Sequence, residues 1–363
     1  MTVAPLSTLT TLRVGGPPAQ QREATSEAEL VTAVQEADAT GTPLLMLGGG
    51  SNVVIADAGF DGMVLRDARS ELSVQDDGAC GGASITVSAG MRWDDVVARA
   101  VAEGWVGIEA LSGIPGSMGA TPVQNVGAYG AEVSQVIASV RTWDRHEGRV
   151  RTLARVDCEF GYRDSLLKRS MRGAAPDGTV WHPTPRYVVL DVTMQMRFGT
   201  LSEPIAYAQL AAALGVDMGA KAPLVEVRKA VIELRRSKGM VLDVNDADTW
   251  SAGSFFTNPI LTAQAAAALP EDAPRYPAGD GFAPGSIKTS AAWLIESAGF
   301  GRGFSLAADA RASLSSKHTL AITNRGEASA ADLVELARAV RDGVREAYGI
   351  TLVPEPVLIG VEL

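Results

Sequence analysis

The chain has 363 residues, 46% hydrophobic and 20% charged, enough apolar material for more than one core, so two or three domains are expected. A formal net charge of −10 with scattered Lys and Arg argues against a nucleic-acid-binding surface, which needs clustered cations. The opening MTVAPLSTLTTLRVGG lacks a basic stretch followed by an apolar one, and no apolar run reaches membrane-span length, so a cytoplasmic chain without membrane insertion is expected. Cys80 and Cys158 are the only cysteines, and His146, His182 and His318 the only histidines. None stands at metal-ligand spacing, so no metal is expected and any redox chemistry must come from an organic cofactor.

In chain order the pattern reads as α+β. Ser26 and Glu29 form an S-x-x-E start for a helix over Ser26–Ala39, with Gly41 and Pro43 as its stop. Pro43–Leu47 reads as a buried strand running into Gly48-Gly49-Gly50-Ser51-Asn52. Residues 73–87 alternate in two β-like pieces broken by Asp76-Asp77-Gly78 and Gly81-Gly82, as in a hairpin. Trp93–Glu103 is a helix stopped by Gly104. Residues 113–130, GIPGSMGATPVQNVGAYG, carry five glycines and two prolines and read as a shaped loop.

Tyr187–Phe198 reads as a strand, and Gly199 to Pro204 as a boundary where a new domain begins. Leu224–Ser237 is an amphipathic helix with a basic end, Arg235, Arg236 and Lys238. Over Ser329–Tyr348, Leu333, Leu336, Val340 and Val344 share one helix face, Ser329 is the N-cap and Gly349 the stop. Two β-like pieces, Ile350–Val353 and Val357–Ile359, flank Pro354-Glu355-Pro356.

Three glycines after a strand let backbone N–H groups approach a phosphate, with Ser51 and Asn52 adding side-chain hydrogen bonds, although a glycine run alone is more often a plain turn. The 113–130 segment combines close backbone approach with the amides of Gln124 and Asn125 and the ring of Tyr129, a mixture suited to a flat heteroaromatic group; an Ω-loop packed on itself is the alternative. Arg163 offers a planar cation for a carboxylate, or an exposed ion pair with Asp164 or Glu159. Ser254, ahead of two phenylalanines, presents a hydroxyl against an apolar wall, where a turn serine is the plainer reading. A serine-hydrolase arrangement lacks its G-x-S-x-G. Glu355, between prolines and among apolar residues, is expected to have a raised pKa, unless it faces solvent.

TTLRVGGP (10–17), LGGGSN (47–52), GIPGSMGATPVQNVGAYG (113–130), GYRDS (161–165), SAGSFFTNP (251–259), AAWLIESAG (291–299) and PEPVLIG (354–360) together resemble the UDP-N-acetylenolpyruvoylglucosamine reductase (MurB) family, in the family's order. The resemblance implies three α+β domains: residues 1–70, completed by C-terminal strands at 350–363; residues 71–200; and a substrate-binding domain at 201–349. The first two would form an FAD-binding module of the vanillyl-alcohol-oxidase (PCMH) type. FAD would be held by Leu47, Gly48, Gly49, Gly50, Ser51 and Asn52, and by Gly113, Ile114, Pro115, Gly116, Gly119, Ala120, Gln124, Asn125, Gly127, Ala128, Tyr129 and Gly130.

Arg163, Ser254 and Glu355 match the family's catalytic trio, and Tyr207, Lys238 and Asn258 match positions that contact the UDP-sugar or the nicotinamide nucleotide. Thr257 stands where other members often carry lysine. The activity implied is reduction of UDP-N-acetylglucosamine enolpyruvate to UDP-N-acetylmuramate for peptidoglycan synthesis. NADPH reduces FAD, hydride passes to the enolpyruvyl methylene carbon, Arg163 and Glu355 stabilise the charge on the carboxylate, and Ser254 protonates the neighbouring carbon. A monomer acting on this small molecule is expected. A sugar or alcohol oxidase sharing the FAD module and a non-catalytic nucleotide-binding protein are the alternatives; the C-terminal blocks and the intact trio weigh against them. The 239–250 stretch, with Asp243, Asp246 and Asp248, carries no assigned role.

Overall fold

The computed structural model, which describes residues 3–76, 82–172, 179–279 and 281–363, forms most of its helices where the capping signals stand. Helix Glu27–Thr40 starts at Ser26, whose hydroxyl accepts from Glu29 N–H. The Glu29 carboxylate reaches past Ser26 to the Thr25 N–H and hydroxyl at 2.8 and 2.9 Å, so the return half of the box lies mainly on Thr25. Helix Ala330–Tyr348 has the reciprocal Ser329–Asp332 box. Gly41, Gly104 and Gly349, with φ of 67°, 72° and 67°, take the left-handed turn that ends their helices. Strands Leu72–Asp76 and Ala83–Ser88 pair antiparallel as the expected hairpin; Asp77, Gly78 and Gly81 of its turn, and Cys80, lie outside the described residues.

Contacts divide the chain into two units, one of Pro18–Gly49 and Asp61–Ser237, the other of Met1–Pro17, Gly50–Phe60 and Lys238–Leu363. The first unit holds a sheet in the order Arg149–Ala154, Ile137–Asp144, Tyr187–Phe198, Ala83–Ser88 and Leu72–Asp76, with Trp105–Val106 on the end of Tyr187–Phe198. Arg141 pairs with Asp191 but Thr142 with Val189, a bulge at Leu190. The extra residue shifts the alternation, so Val189 and Val192 both join the core under helix Trp93–Glu103, while Val188 and Leu190 join a second core with Leu30, Val34 and Leu65. Helices Ala208–Leu214 and Leu224–Ser237 share a third cluster through Leu210, Val227 and Val231. By contacts, therefore, the chain between Gly199 and Ser237 stays with the unit before it.

The second unit packs helices Ala291–Ser297 and Ala330–Tyr348 and the hairpin Ala312–Leu314/Ile322–Asn324 around one core that also takes Leu12, Val14 and Val54. Val357–Ile359 pairs parallel with Val53–Ile55. Ile350–Val353, expected as a strand, is not one: the stretch ends in a single bridge between Pro354 and Phe256, because Pro354 brings no N–H to a ladder. The 239–250 acids are structural here. Asp248 accepts from the Ser316 N–H and hydroxyl at 2.9 and 2.5 Å and pairs with Arg325 at 3.0 Å, Asp246 pairs with Lys317, and Asp243 accepts from Asn245 N–H. Burial alone would raise the Asp248 carboxyl, but the serine hydrogen bonds and Arg325 hold it below the usual range.

Gly343, inside helix Ala330–Tyr348, faces the Phe300 ring, where a Cβ would lie 2.4 Å from two ring atoms. Alanine gains ~1 kcal/mol of helix propensity, and overpacking costs ~1–3 kcal/mol. Gly343→Ala is expected to lower stability by up to ~2 kcal/mol, read from urea unfolding; a stabilised variant would mean that Phe300 swings aside freely.

Candidate active site

In the first unit, strand Leu44–Met46 lies parallel to Phe60–Asp67, and Leu47 N–H still bonds Leu65 O at 3.0 Å before the chain turns at Gly48. A Cβ on Gly48 would lie 2.5 Å from Ser117 Oγ, and one on Gly49 2.8 Å from Gly116 Cα. Likewise, a Cβ on Gly119 would come within 2.6 Å of Ala89 Cβ. The 47–49 and 116–119 segments thus abut with no room for a side chain at Gly49. Among the described residues none accepts from the N–H groups of Gly48, Gly49, Ile114, Gly116 or Ser117, leaving a backbone donor set suited to a diphosphate. These residues fit the dinucleotide expected from the sequence.

The 113–130 segment is clamped where it begins. Gly113 N–H donates to Asp94 at 2.6 Å, Asp94 takes both Arg228 Nη atoms at 2.7 and 2.9 Å, and Arg235 Nε donates to Gly113 O at 3.1 Å. Burial opposes ionisation of Asp94, yet Arg228 and the Gly113 N–H outweigh it and hold the carboxyl below its usual range. Arg235 is buried, and burial pulls its guanidinium down to about 10; the Arg163 charge pushes the same way, while Tyr129 and Asp94 oppose. Further along comes the short helix Ala120–Gln124. Asn125 ends it at φ 44°, donating to Glu132 and to Gly161 O at 3.0 and 2.8 Å. Gly127, Ala128, Tyr129 and Gly130 follow as a strand-and-turn, with φ of 51° at Tyr129 and 85° at Gly130. Pro115 and Ala120 lie within the same clamped segment.

Arg163 occupies the left-handed region at φ 54°, a conformation a charged non-glycine keeps only when its surroundings impose it. Its Nη2 donates to Gly127 O at 2.6 Å, and its own carbonyl accepts from Lys168 Nζ at 2.8 Å. The carboxylates of Asp164 and Glu159, the ion-pair partners a surface reading would give Arg163, are both engaged by Arg169. Tyr207 is 40% exposed at the start of helix Ala208–Leu214, with its ring edge-on to Tyr129 at 5.4 Å. It is therefore not a core aromatic.

In the second unit, the Phe255 N–H donates to Leu320 O at 2.7 Å and Glu355 N–H to Phe255 O at 2.9 Å. Phe255 and Phe256 are buried edge-to-face at 5.2 Å. Ser254 and Glu355 thus sit on hydrogen-bonded neighbouring segments, and among the described residues no group bonds the Ser254 hydroxyl. Asn52 joins them: its carbonyl accepts from Val357 N–H at 3.0 Å and its Nδ2 donates to Glu355 O at 3.5 Å. Gly50 and Ser51 precede it in the same unit.

Lys238 opens that unit's long C-terminal segment, and its charge is felt at His318. Asn258 spends its Oδ1 on Ala291 N–H at 2.9 Å, at the start of helix Ala291–Ser297, and among the described residues its amide donors bond nothing. Thr257 hydroxyl donates to Val353 O at 3.4 Å. Sequence reasoning assigned no roles to Asp94, Arg228 and Thr11. The signal for Arg228 was its seven-residue spacing from Arg235, which puts both on one helix face; Thr11 lies in the TTLRVGGP block without a role of its own, and Asp94 carries no signal.

Gly49→Ala, with backbone on both sides of the new methyl, is expected to purify depleted of flavin and to bind FAD at least about 10-fold more weakly, ~1.4 kcal/mol, in a flavin-fluorescence titration. Retained affinity would show that the two segments can part. Burial depresses His318 from 6.5 to about 4, with Lys238 and Arg302 pushing the same way. The unfolded chain therefore takes this proton first, and stability falls as pH drops from about 6.5 to about 4. Urea midpoints across that window should fall less steeply in His318→Gln; an unchanged slope would assign the loss to other groups.

The profile for the UDP-N-acetylenolpyruvoylglucosamine reductase C-terminal domain matches residues 245–359, and that for an FAD binding domain matches residues 18–154. The chain is 54% identical to the UDP-N-acetylenolpyruvoylglucosamine reductase of Cutibacterium acnes, over 98% of this chain and 89% of that one. It is 49% identical to the protein of the same name from Streptomyces coelicolor, over 99% and 90%. The crystal structure of the Thermus caldophilus enzyme shares its fold, with a TM-score of 0.61 at 24% identity over 98% of this chain and 97% of that one. With half its residues shared along nearly the full length of such relatives, the chain belongs to the UDP-N-acetylenolpyruvoylglucosamine reductase family and is an FAD-dependent oxidoreductase.

Proposed function

We propose that this protein uses NADPH and FAD to reduce UDP-N-acetylglucosamine enolpyruvate to UDP-N-acetylmuramate, in the cytoplasm and for peptidoglycan precursor synthesis. The observation that carries the reading is the hydrogen bond between Glu355 N–H and Phe255 O, which joins the segment that carries Glu355 to the residue after Ser254. FAD, when bound, would supply two-electron hydride chemistry between NADPH and the methylene carbon of the enolpyruvyl group. Leu47 to Asn52 and the 113–130 segment would hold it through backbone N–H groups, and Tyr207, Lys238 and Asn258 would bind the nucleotide portions of the substrates.

As hydride adds to the methylene carbon, the electron pair of the double bond moves toward the adjacent carbon and carboxylate. The Arg163 guanidinium, held from behind by the Gly127 carbonyl, neutralises that charge, and Glu355 shares its stabilisation. The Ser254 hydroxyl gives its proton to the carbon and recovers one from solvent, leaving the lactyl ether. A serine hydroxyl without a partner among the described residues is able to turn toward a substrate carbon, which supports this role. The reading keeps three functional domains, at 1–70 with 350–363, 71–200 and 201–349. The pairing of Val357–Ile359 with Val53–Ile55 supports the return of the C-terminal strand to the first.

The test is anaerobic and separates the half-reactions. The yellow protein should bleach with NADPH and regain its colour on addition of the enolpyruvyl sugar. In Ser254→Ala, bleaching should be unchanged and recolouring slowed about 100-fold or more. Recolouring only on admission of air would point to an oxidase, and a protein that cannot be reconstituted with FAD would sink the reading.

A further inference from the structure

Thr11, buried in the N-terminal segment, bonds in two directions. Its N–H donates to Gly50 O at 3.1 Å and its hydroxyl to Ser251 O at 2.7 Å. Gly50 is pressed onto the same segment: at φ 61°, a Cβ there would lie 1.9 Å from Leu9 O and 2.9 Å from Thr10 Cα. Ser251 is in turn the root of the turn that carries Ser254, because its hydroxyl accepts from Gly253 N–H at 3.2 Å and Gly253 takes φ 70°.

From Ser254 the path closes on itself. Phe255 O holds Glu355 N–H, Glu355 O accepts from Asn52 Nδ2, and Asn52 lies two residues after Gly50. Other contacts seat the N-terminal segment without reaching Ser251. Arg13 stacks 3.5 Å over Trp250, and Asn324 Nδ2 donates to Leu12 O at 3.0 Å. The Thr11 hydroxyl is the link by which the end of the glycine loop grips the turn that delivers the proton donor.

We infer that Thr11 is a positioning residue, fixing the Ser254 hydroxyl with respect to the Gly50–Asn52 part of the cofactor loop, so that proton delivery depends on it and cofactor reduction does not. The inference rests on the reading of Ser254 as the proton donor. Removing the hydroxyl leaves the Ser251 carbonyl without its donor and frees the turn to drift. Proton transfer to carbon is steep in distance and angle, whereas hydride uptake from NADPH does not use Ser254.

Thr11→Val keeps the shape and removes the donor. In single-turnover work on the FAD-loaded protein, flavin reduction by NADPH should stay within about twofold of wild type, and reoxidation by the enolpyruvyl sugar should slow about 10-fold or more. Thr11→Ser should restore the wild-type rate. In a Ser254→Ala background, Thr11→Val should add no further loss, since both changes remove one function. Should the valine variant fail to fold, Thr11→Cys, with its weak S–H donor, should show the same split at smaller amplitude. Equal slowing of both half-reactions, an unchanged reoxidation rate, additive losses in the double variant, or loss of flavin or fold in both variants would each overturn the inference. If Ser254→Ala alone reoxidises at the wild-type rate, the proton-donor reading itself falls, and this inference with it.

Discussion

Gly49 and Gly116 bring two backbones together at a separation that excludes any side chain: a single methyl on Gly49 would lie 2.8 Å from Gly116 Cα and 3.2 Å from its N. Much of the first unit serves to hold that approach. The parallel pairing of Leu44–Met46 with Phe60–Asp67 brings in one segment. The other is fastened by backbone bonds from Trp93 N–H to Gly116 O, Met118 N–H to Met91 O and Gly119 N–H to Ala89 O. Because the contact is backbone to backbone, the N–H groups beside it are not spent on any of the described residues, and a diphosphate is a ligand whose charge such donors match.

Charge is then placed locally, against the sign of the whole chain. With a net charge of −10, an anionic ligand needs cations concentrated locally. In the first unit several carboxylates are taken up by arginines other than Arg163. Arg169 engages Asp164 and Glu159, Arg228 engages Asp94, and buried Arg235 spends its Nε on a carbonyl. Arg163 meets the Gly127 carbonyl in a strained backbone conformation. Such strain persists only where the surroundings over-determine it.

Helices were legible because their ends are chemical. Ser26, Ser329, Gly41, Gly104 and Gly349 each supply a cap that one turn of chain can satisfy, and the structure uses all five. The strand expected at Ile350–Val353 failed for a reason also local, the missing N–H of Pro354, but what lies opposite it, Phe256, is nearly a hundred residues distant and invisible from the segment itself. The glycine loops were legible as loops; that Gly48 meets Ser117 and Gly49 meets Gly116 required the fold. The TTLRVGGP block marked the neighbourhood of Thr11 but not what its hydroxyl does, and Asp94 carries no local signature, because a hydroxyl or carboxylate with a distant backbone partner looks in sequence like any surface polar residue.

The unit that contains Ser254 and Glu355 is assembled from three separated stretches, Met1–Pro17, Gly50–Phe60 and Lys238–Leu363. During synthesis its first two stretches leave the ribosome long before the third exists. Leu12, Val14 and Val54 then have no core to enter, and Val53–Ile55 has no parallel partner until Val357–Ile359 is made at the end. Long-range parallel pairing of this kind is slow and leaves strand edges open meanwhile. A chain interrupted before Glu355 would therefore lack the strand that pairs with Val53–Ile55, the segment that carries Glu355 and the acceptor for Asn52 Nδ2 all at once.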